Sequence, residues 1–177
     1  NVYMAEDGCH KIRKLTVATG VISTIAGTGA SGSSGDGGAA TSARLNGPRG
    51  VVFFAGNLYI ADHANNKVRR VDTATGNIAT FAGTGGSGFS GDGGNATAAK
   101  LHEPIGLATD CEGSVYIYDG KNFRIRKVTL TTPASCAAAA AGSSSSGHMV
   151  VYVPFTSTYL LMGLIAGLIG WLLLRRS

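Results

Sequence analysis

The sequence is poor in cysteine, proline, tryptophan and charge: its 177 residues hold three Cys, four Pro and one Trp, and only 14% are charged. Cys9, Cys111 and Cys136 form no C-x-x-C pair, which excludes a disulfide-stapled mini-domain and a zinc ribbon. They leave at least one thiol unpaired and do not identify a redox compartment; each reads as a small buried or solvent-facing residue. No block of five or six like charges occurs, and no aromatics alternate with a basic stripe. The net charge of +5 is therefore not the footprint of a nucleic-acid-binding protein. Nine of the 15 basic residues fall at recurring strand positions instead. A G-x-S-x-G elbow is absent, as is a Cys/His pair with a third member. Before residue 148 nothing sustains a 3.6-residue period, which excludes a helical bundle or solenoid. Glycine, by contrast, is abundant at 27 residues, and 44% of the chain is hydrophobic, too apolar for a disordered protein.

What is present is a repeat. Asn1-Val-Tyr-Met-Ala-Glu6 returns as Asn57-Leu-Tyr-Ile-Ala-Asp62 and as Ser114-Val-Tyr-Ile-Tyr-Asp119, the tyrosines Tyr3, Tyr59 and Tyr116 lying 56 and then 57 positions apart. A basic strand follows each copy: Lys11-Ile-Arg-Lys-Leu15, Lys67-Val-Arg-Arg-Val71 and Arg124-Ile-Arg-Lys-Val128. Ala26-Gly-Thr-Gly29 through Gly35-Asp-Gly-Gly38 to Leu45 and Pro48 recurs, offset by 56, as Ala82-Gly-Thr-Gly85 through Gly91-Asp-Gly-Gly94 to Leu101 and Pro104. Short runs rich in Val, Ile, Tyr and Phe between Gly, Asn and Asp clusters are strands. In the complete middle unit the pattern predicts strand A over 50–54, B over 58–61, C over 67–72 and D over 78–82. Gly76 serves the C–D turn, where positive φ is needed. Residues 39–45 and 96–101 are each long enough for one helical turn. Four antiparallel strands per unit with Gly-rich connectors describe a β-propeller blade.

Leu58-Tyr-Ile-Ala-Asp62, then Asn66-Lys-Val-Arg69, with Leu101-x-x-Pro104-x-Gly106 ahead of the next unit, resembles the NHL repeat. The Ser90-Gly-Asp-Gly-Gly94 connector is similar to the long inter-blade loops of one NHL subgroup. The resemblance covers residues 1–130 and implies an all-β, NHL-type propeller, commonly of six blades and used mostly as a binding platform. This chain holds about two and a half four-stranded blades. The chain begins inside a strand without an initiator Met, and so few blades close no ring, so further blades ahead of Asn1, or several chains together, are expected.

Blades lie between other blades, so a strand arginine needs an acidic partner. Glu6 and Arg13, Asp62 and Arg69, and Asp119 and Arg126 are each seven apart, the spacing of an ion pair across the B–C hairpin. The loops Gly35-Asp36-Gly37 and Gly91-Asp92-Gly93 are read as inter-blade connectors, their aspartates as Asx turns. One carboxylate per loop falls short of the oxygens calcium needs. Gly27-Thr-Gly-Ala-Ser-Gly32 and Gly83-Thr-Gly-Gly-Ser-Gly88 fit G-x-G-x-x-G, but neither opens a long helix, and no cofactor is expected. His10, His63 and His102 are candidate metal ligands. They occupy turns on one rim, and some propeller lyases that resemble NHL proteins hold axial zinc. Their repeat positions differ, however, and zinc needs three or four ligands at one point.

After Val128 the repeat stops. Residues 131–148, with the alanines at 137–141 and the serines at 143–146, read as a linker. Residues 149–174 contain no charge; 26 residues reach about 39 Å as a helix, enough for a transmembrane span. Arg175 and Arg176 in the tail at 175–177 predict a cytosolic C-terminus and an extracellular or lumenal propeller. Gly163 and Gly167 form a G-x-x-x-G dimer contact on that helix, and Asn95-Ala-Thr97 is a glycosylation acceptor. A GPI signal and a cytosol-facing tail anchor are alternative readings.

These features predict a membrane-tethered propeller that recognises a protein or small ligand at its loop rim, with the lipid bilayer as its other partner. A propeller hydrolase or lyase with a central metal is the alternative from a different class; a structural cell-surface element is the third. The inward strand ends at 50–52 and 106–108 are small and apolar, without the repeated His, Asp or Glu that chemistry at the axis requires.

Overall fold

A computed structural model of the chain describes residues 1–130. Ten strands form three antiparallel sheets. β1 (Val2–Glu6), β2 (Lys11–Thr16) and β3 (Val21–Ala26) make the first. The second holds β4 (Pro48–Phe54), β5 (Asn57–Asp62), β6 (Lys67–Asp72) and β7 (Ile78–Ala82). β8 (Pro104–Thr109), β9 (Ser114–Asp119) and β10 (Arg124–Thr129) make the third. Ten strands in sheets of three, four and three fit a partial propeller, with the four-stranded blade complete in the middle. Among the described residues, no helix is long and apolar enough to cross a membrane. The linker at 131–148, the span at 149–174 with Gly163 and Gly167, and the basic tail lie outside the described residues.

Strands C and D occupy the expected positions. Strand A starts earlier, at Pro48, because Pro48 still pairs with Asp62 before a register shift separates it from the Val51–Ile60 pair. Gly76 takes φ +75° and turns β6 into β7. The two connectors each contain a single 3-10 turn, Ala40–Ser42 and Ala96–Ala98.

Side chains on a strand alternate between faces, and the middle sheet buries both. Leu58 and Ile60 of β5, with Val51, Val71 and Ile78, pack toward the first sheet around Ile12, Ala26 and Leu45. Tyr59 between them, with Val52, Val68 and Ala82, packs toward the third around Leu101, Val115 and Ile117. Burial on both faces explains why β5 reads as a nearly unbroken apolar run. The blades meet closely at strand A: a Cβ on Gly50 would collide with the Ile105 carbonyl oxygen and lie 3.2 Å from the Gly106 Cα.

Candidate functional site

The repeated arginines sit where a connector closes on a blade. Arg69 is fully buried on β6, and its Nη1 lies 3.4 Å from Asp62 Oδ2, itself fully buried at the end of β5. The connector supplies a second acid: Arg69 Nη2 donates to Asp36 Oδ1 at 2.6 Å and Nε donates to the same oxygen at 3.1 Å. Thr80 Oγ1 of β7 donates to Asp36 Oδ2 at 2.7 Å. Arg126 repeats this with Asp119 Oδ2 at 3.4 Å and Asp92 Oδ1 at 2.5 Å. Arg13 lies 3.6 Å from Glu6, with both side chains partly exposed; its Nε is buried and meets no acceptor among the described residues.

These contacts correct the Asx-turn reading of Asp36 and Asp92. Asp36 spends its oxygens on a guanidinium and a hydroxyl distant in sequence, because the glycines beside it fold the loop onto the sheet. Gly35 has φ +98°, and an added Cβ there would lie 2.6 Å from the Ala43 Cα. Against the upward push of partial burial, the Thr80 hydroxyl and the Arg69 charge hold the Asp36 carboxyl below the usual range. Burial pushes Asp62 up, opposed by the Asn65 amide, the Asn46 N–H at 2.7 Å and Arg69.

The rim that carries the B–C turns and the D–A connectors holds the histidines. His10, Asn66 and Phe123 are repeat equivalents, and all three take left-handed φ, at 53°, 53° and 52°. Two of them reach the next connector: Gly47 N donates to His10 Nδ1 at 3.0 Å, and Glu103 N donates to Asn66 Oδ1 at 2.9 Å. His63 is buried, with Nε2 3.4 Å from Glu103 Oε2 but without an aligned hydrogen bond. Burial, then the Arg49 charge, hold its imidazole below the ordinary value, although Glu103 and Asp7 pull the other way. The His102 N–H donates to Asp119 Oδ1 at 2.7 Å. Among the described residues, no three His, Cys, Asp or Glu side chains converge as a metal site. His10, His63 and His102 therefore form no common cluster among the described residues. Cys9 is a free, exposed thiol, and Asn95 is exposed, its Oδ1 accepting from the Thr97 N–H at 3.0 Å.

Glu103 is the rim residue that sequence reasoning missed. It stands where the previous repeat has Gly47: Gly47 has φ +59° and Glu103 has φ +51°. A left-handed backbone is costly for a residue with a Cβ, yet here it carries a carboxylate. Lys121 Nζ lies 2.6 Å from its Oε1, and this hydrogen bond lowers the Glu103 carboxyl below its usual value. Arg49 and Asp7 pair at 3.3 Å across the boundary between the first and second blades. The replacement of Gly47 by Glu103 was visible in the repeat alignment.

No protein-family model matches the chain. It is 33% identical over 135 residues to Protein SUPPRESSOR OF QUENCHING 1, chloroplastic, of Arabidopsis thaliana, covering 72% of this chain and 13% of that protein. It is 36% identical over 98 residues to NHL repeat-containing protein 2 of Gallus gallus, covering 54% of this chain and 13% of that one. In three dimensions it is similar to an auxiliary nutrient binding protein from Bacteroides thetaiotaomicron, with a TM-score of 0.56 and 27% identity over 71% of this chain and 33% of that structure. The chain therefore spans only a small part of the length of these relatives.

Proposed function

The chain is an NHL-repeat protein, and from that premise we propose that it is a non-catalytic recognition module whose contact surface is the rim formed by the B–C turns and D–A connectors. The observation that carries this reading is Glu103, a charged residue kept in a left-handed backbone where the repeat supplies glycine. Of the non-glycine residues held in a left-handed backbone, Glu103 is the carboxylate that replaces a repeat glycine, and such retained strain supports a use for its side chain. Lys121 and Asp7 are exposed and Glu103 and Arg49 half-buried, so the rim presents paired charges of both signs, suited to a protein surface or a small polar ligand. A structural neighbour described as a nutrient binding protein supports binding over chemistry.

The test is Glu103→Gly, which restores the repeat residue. Peptide and glycan arrays are probed with the full chain and with this variant. The reading expects a bound probe whose capture falls at least about tenfold in the variant while Tm holds or rises. Equal capture by both proteins overturns it.

We further propose that residues 149–174 anchor the module in a bilayer, with residues 175–177 cytosolic and the blades extracellular or lumenal. The uncharged run and the terminal arginines support this reading. Gly163 and Gly167 are proposed to pair two such helices.

A further inference from the structure

The two G-x-G-x-x-G strings, 27–32 and 83–88, take no part in the contacts of Glu103, yet their later glycines do the same thing in both connectors. Each stands where the aliphatic stem of a basic side chain lies. An added Cβ would fall 3.0 Å from Lys11 Cε at Gly29, 2.9 Å from Arg44 Cδ at Gly32, 3.0 Å from Lys67 Cε at Gly85 and 3.6 Å from Lys100 Cδ at Gly88. Glycine thus leaves a seat for each long side chain, which lays its methylenes on the backbone and keeps its charge at the surface. Arg44 and Lys100 are exposed; Lys11 and Lys67 are half-buried.

Lys67 joins the two rows. Its stem rests on Gly85 of the second connector, while its Nζ donates to Ser33 Oγ of the first at 3.1 Å. In the next repeat Arg124 takes the Lys67 position and lies 3.7 Å over the ring of Phe89, which takes the Ser33 position. Arg44, Lys67 and Lys100 therefore follow one another across the two boundaries that described blades form on both sides, with Lys11 and Arg124 at the ends of the line. Spacings of 33, 23, 33 and 24 positions hide this line in the sequence. Among the described residues, none of the five makes an ion pair. The acids of the same connectors, Asp36 and Asp92, are held by Arg69 and Arg126. Asp72, Asp110 and Glu112 lie at the opposite ends of the strands, so positive charge is concentrated at the connector end.

We propose that this line of cations binds an extended sulfated polysaccharide. Sulfates repeated along a polymer match cations repeated along the connectors. The exposed serines Ser31, Ser33, Ser34, Ser87 and Ser90 offer hydroxyls to a ligand that is itself dense in hydroxyl groups. A nucleic acid would need bare aromatic faces for its bases, whereas Phe89, the aromatic of these connectors, has Arg124 at 3.7 Å and Arg126 at 4.9 Å from its ring centre. The surface uses the connectors of the rim but not Glu103, and so goes beyond the rim reading.

The probe is a labelled heparin octasaccharide, titrated into the full chain in mild detergent at several salt concentrations and followed by anisotropy. Saturable binding is expected. Arg44→Gln, Lys67→Gln and Lys100→Gln together weaken it about tenfold, the sum of three exposed charge contacts. They also lower the slope of log K against log salt by roughly one per cation removed, with Tm unchanged. Arg44→Gln with Lys100→Gln alone acts in the same direction and leaves the Lys67 contact to Ser33 in place. The charge-matched control replaces Lys14, Arg70 and Lys127, within β2, β6 and β10, by glutamine and retains the octasaccharide. Equal weakening by the two triple variants overturns the proposal, because net charge alone would then be responsible. Failure to saturate overturns it too, as does equal binding of the desulfated octasaccharide, or tighter binding of a uridylate oligomer of equal charge or of phosphatidylserine vesicles. Glu103→Gly leaves the octasaccharide bound, so this proposal and the rim reading fail separately.

Discussion

Arg69 Nη2 lies 2.6 Å from Asp36 Oδ1, a residue 33 positions earlier on the glycine-rich connector. The same guanidinium faces Asp62, which is as completely buried as Arg69 itself. One cation thus ties the B–C hairpin to the loop that enters the blade. Burying charges costs several kcal/mol per ion before pairing offsets it, so the arrangement fixes the loop's position more than it adds stability.

Removing one partner exposes that cost. Arg69→Ala strands a buried Asp62 carboxylate and is expected to destabilise the fold by about 3–5 kcal/mol. Asp36→Ala leaves Arg69 paired with Asp62 and removes hydrogen bonds at a partly exposed acid, with an expected loss of about 1–3 kcal/mol. Urea unfolding of the two variants gives the order, and a larger loss for Asp36→Ala would contradict the clasp.

The blade boundary yields a steric prediction. Gly50→Ala drives a Cβ into the Ile105 carbonyl and toward the Gly106 backbone, and backbone cannot swing aside as a flexible side chain can. A loss of about 1–3 kcal/mol is expected, as for overpacked cores. Gly8→Ala is the control, since an added Cβ there meets nothing within 4 Å and its φ is not positive. Comparable losses at the two sites would mean that the β4–β8 approach is looser than described.

His63 makes stability depend on pH. Its folded pKa lies below the ordinary 6.5 because burial and the Arg49 charge disfavour the imidazolium, with Lys121 acting in the same direction and Glu103 and Asp7 against it. As pH falls from about 6.5, the unfolded chain takes up this proton first, so the contribution is fully present above that pH and declines below it. Denaturant midpoints at pH 7.5 and 5.5 should therefore differ, and His63→Asn should narrow the difference. Asp36, with its lowered carboxyl, adds a further decline below about 3.9, while the raised Asp62 acts in the opposite sense.

Repeat periodicity and strand chemistry made β6 and β7 legible to the residue, because both are bounded by turn-forming Asn, Asp and Gly. The seven-residue spacing likewise pointed to Asp62 and Arg69, since both ends of a hairpin are local. Asp36 was harder. Its partner lies across a connector whose path is set by left-handed glycines, and no local pattern encodes where that path ends. One clue existed: Asp36 to Arg69 and Asp92 to Arg126 span 33 and 34 positions, so the long-range pair recurs with the repeat. The role of Glu103 was hidden because a sequence shows a residue but not its φ.

Asn95 offers a test of the proposed membrane topology. The side chain is exposed, and its Oδ1 accepts from both the Thr97 N–H and the Thr97 hydroxyl, at 3.0 and 2.9 Å, while its Nδ2 makes no hydrogen bond among the described residues. A lumenal propeller is expected to gain a glycosidase-sensitive mass that Asn95→Gln and Thr97→Ala both abolish. An unmodified Asn95 together with labelling of the exposed Cys9 by a cytosolic thiol reagent would place the blades on the opposite side, and the basic tail would then have to be lumenal or absent from the membrane topology altogether.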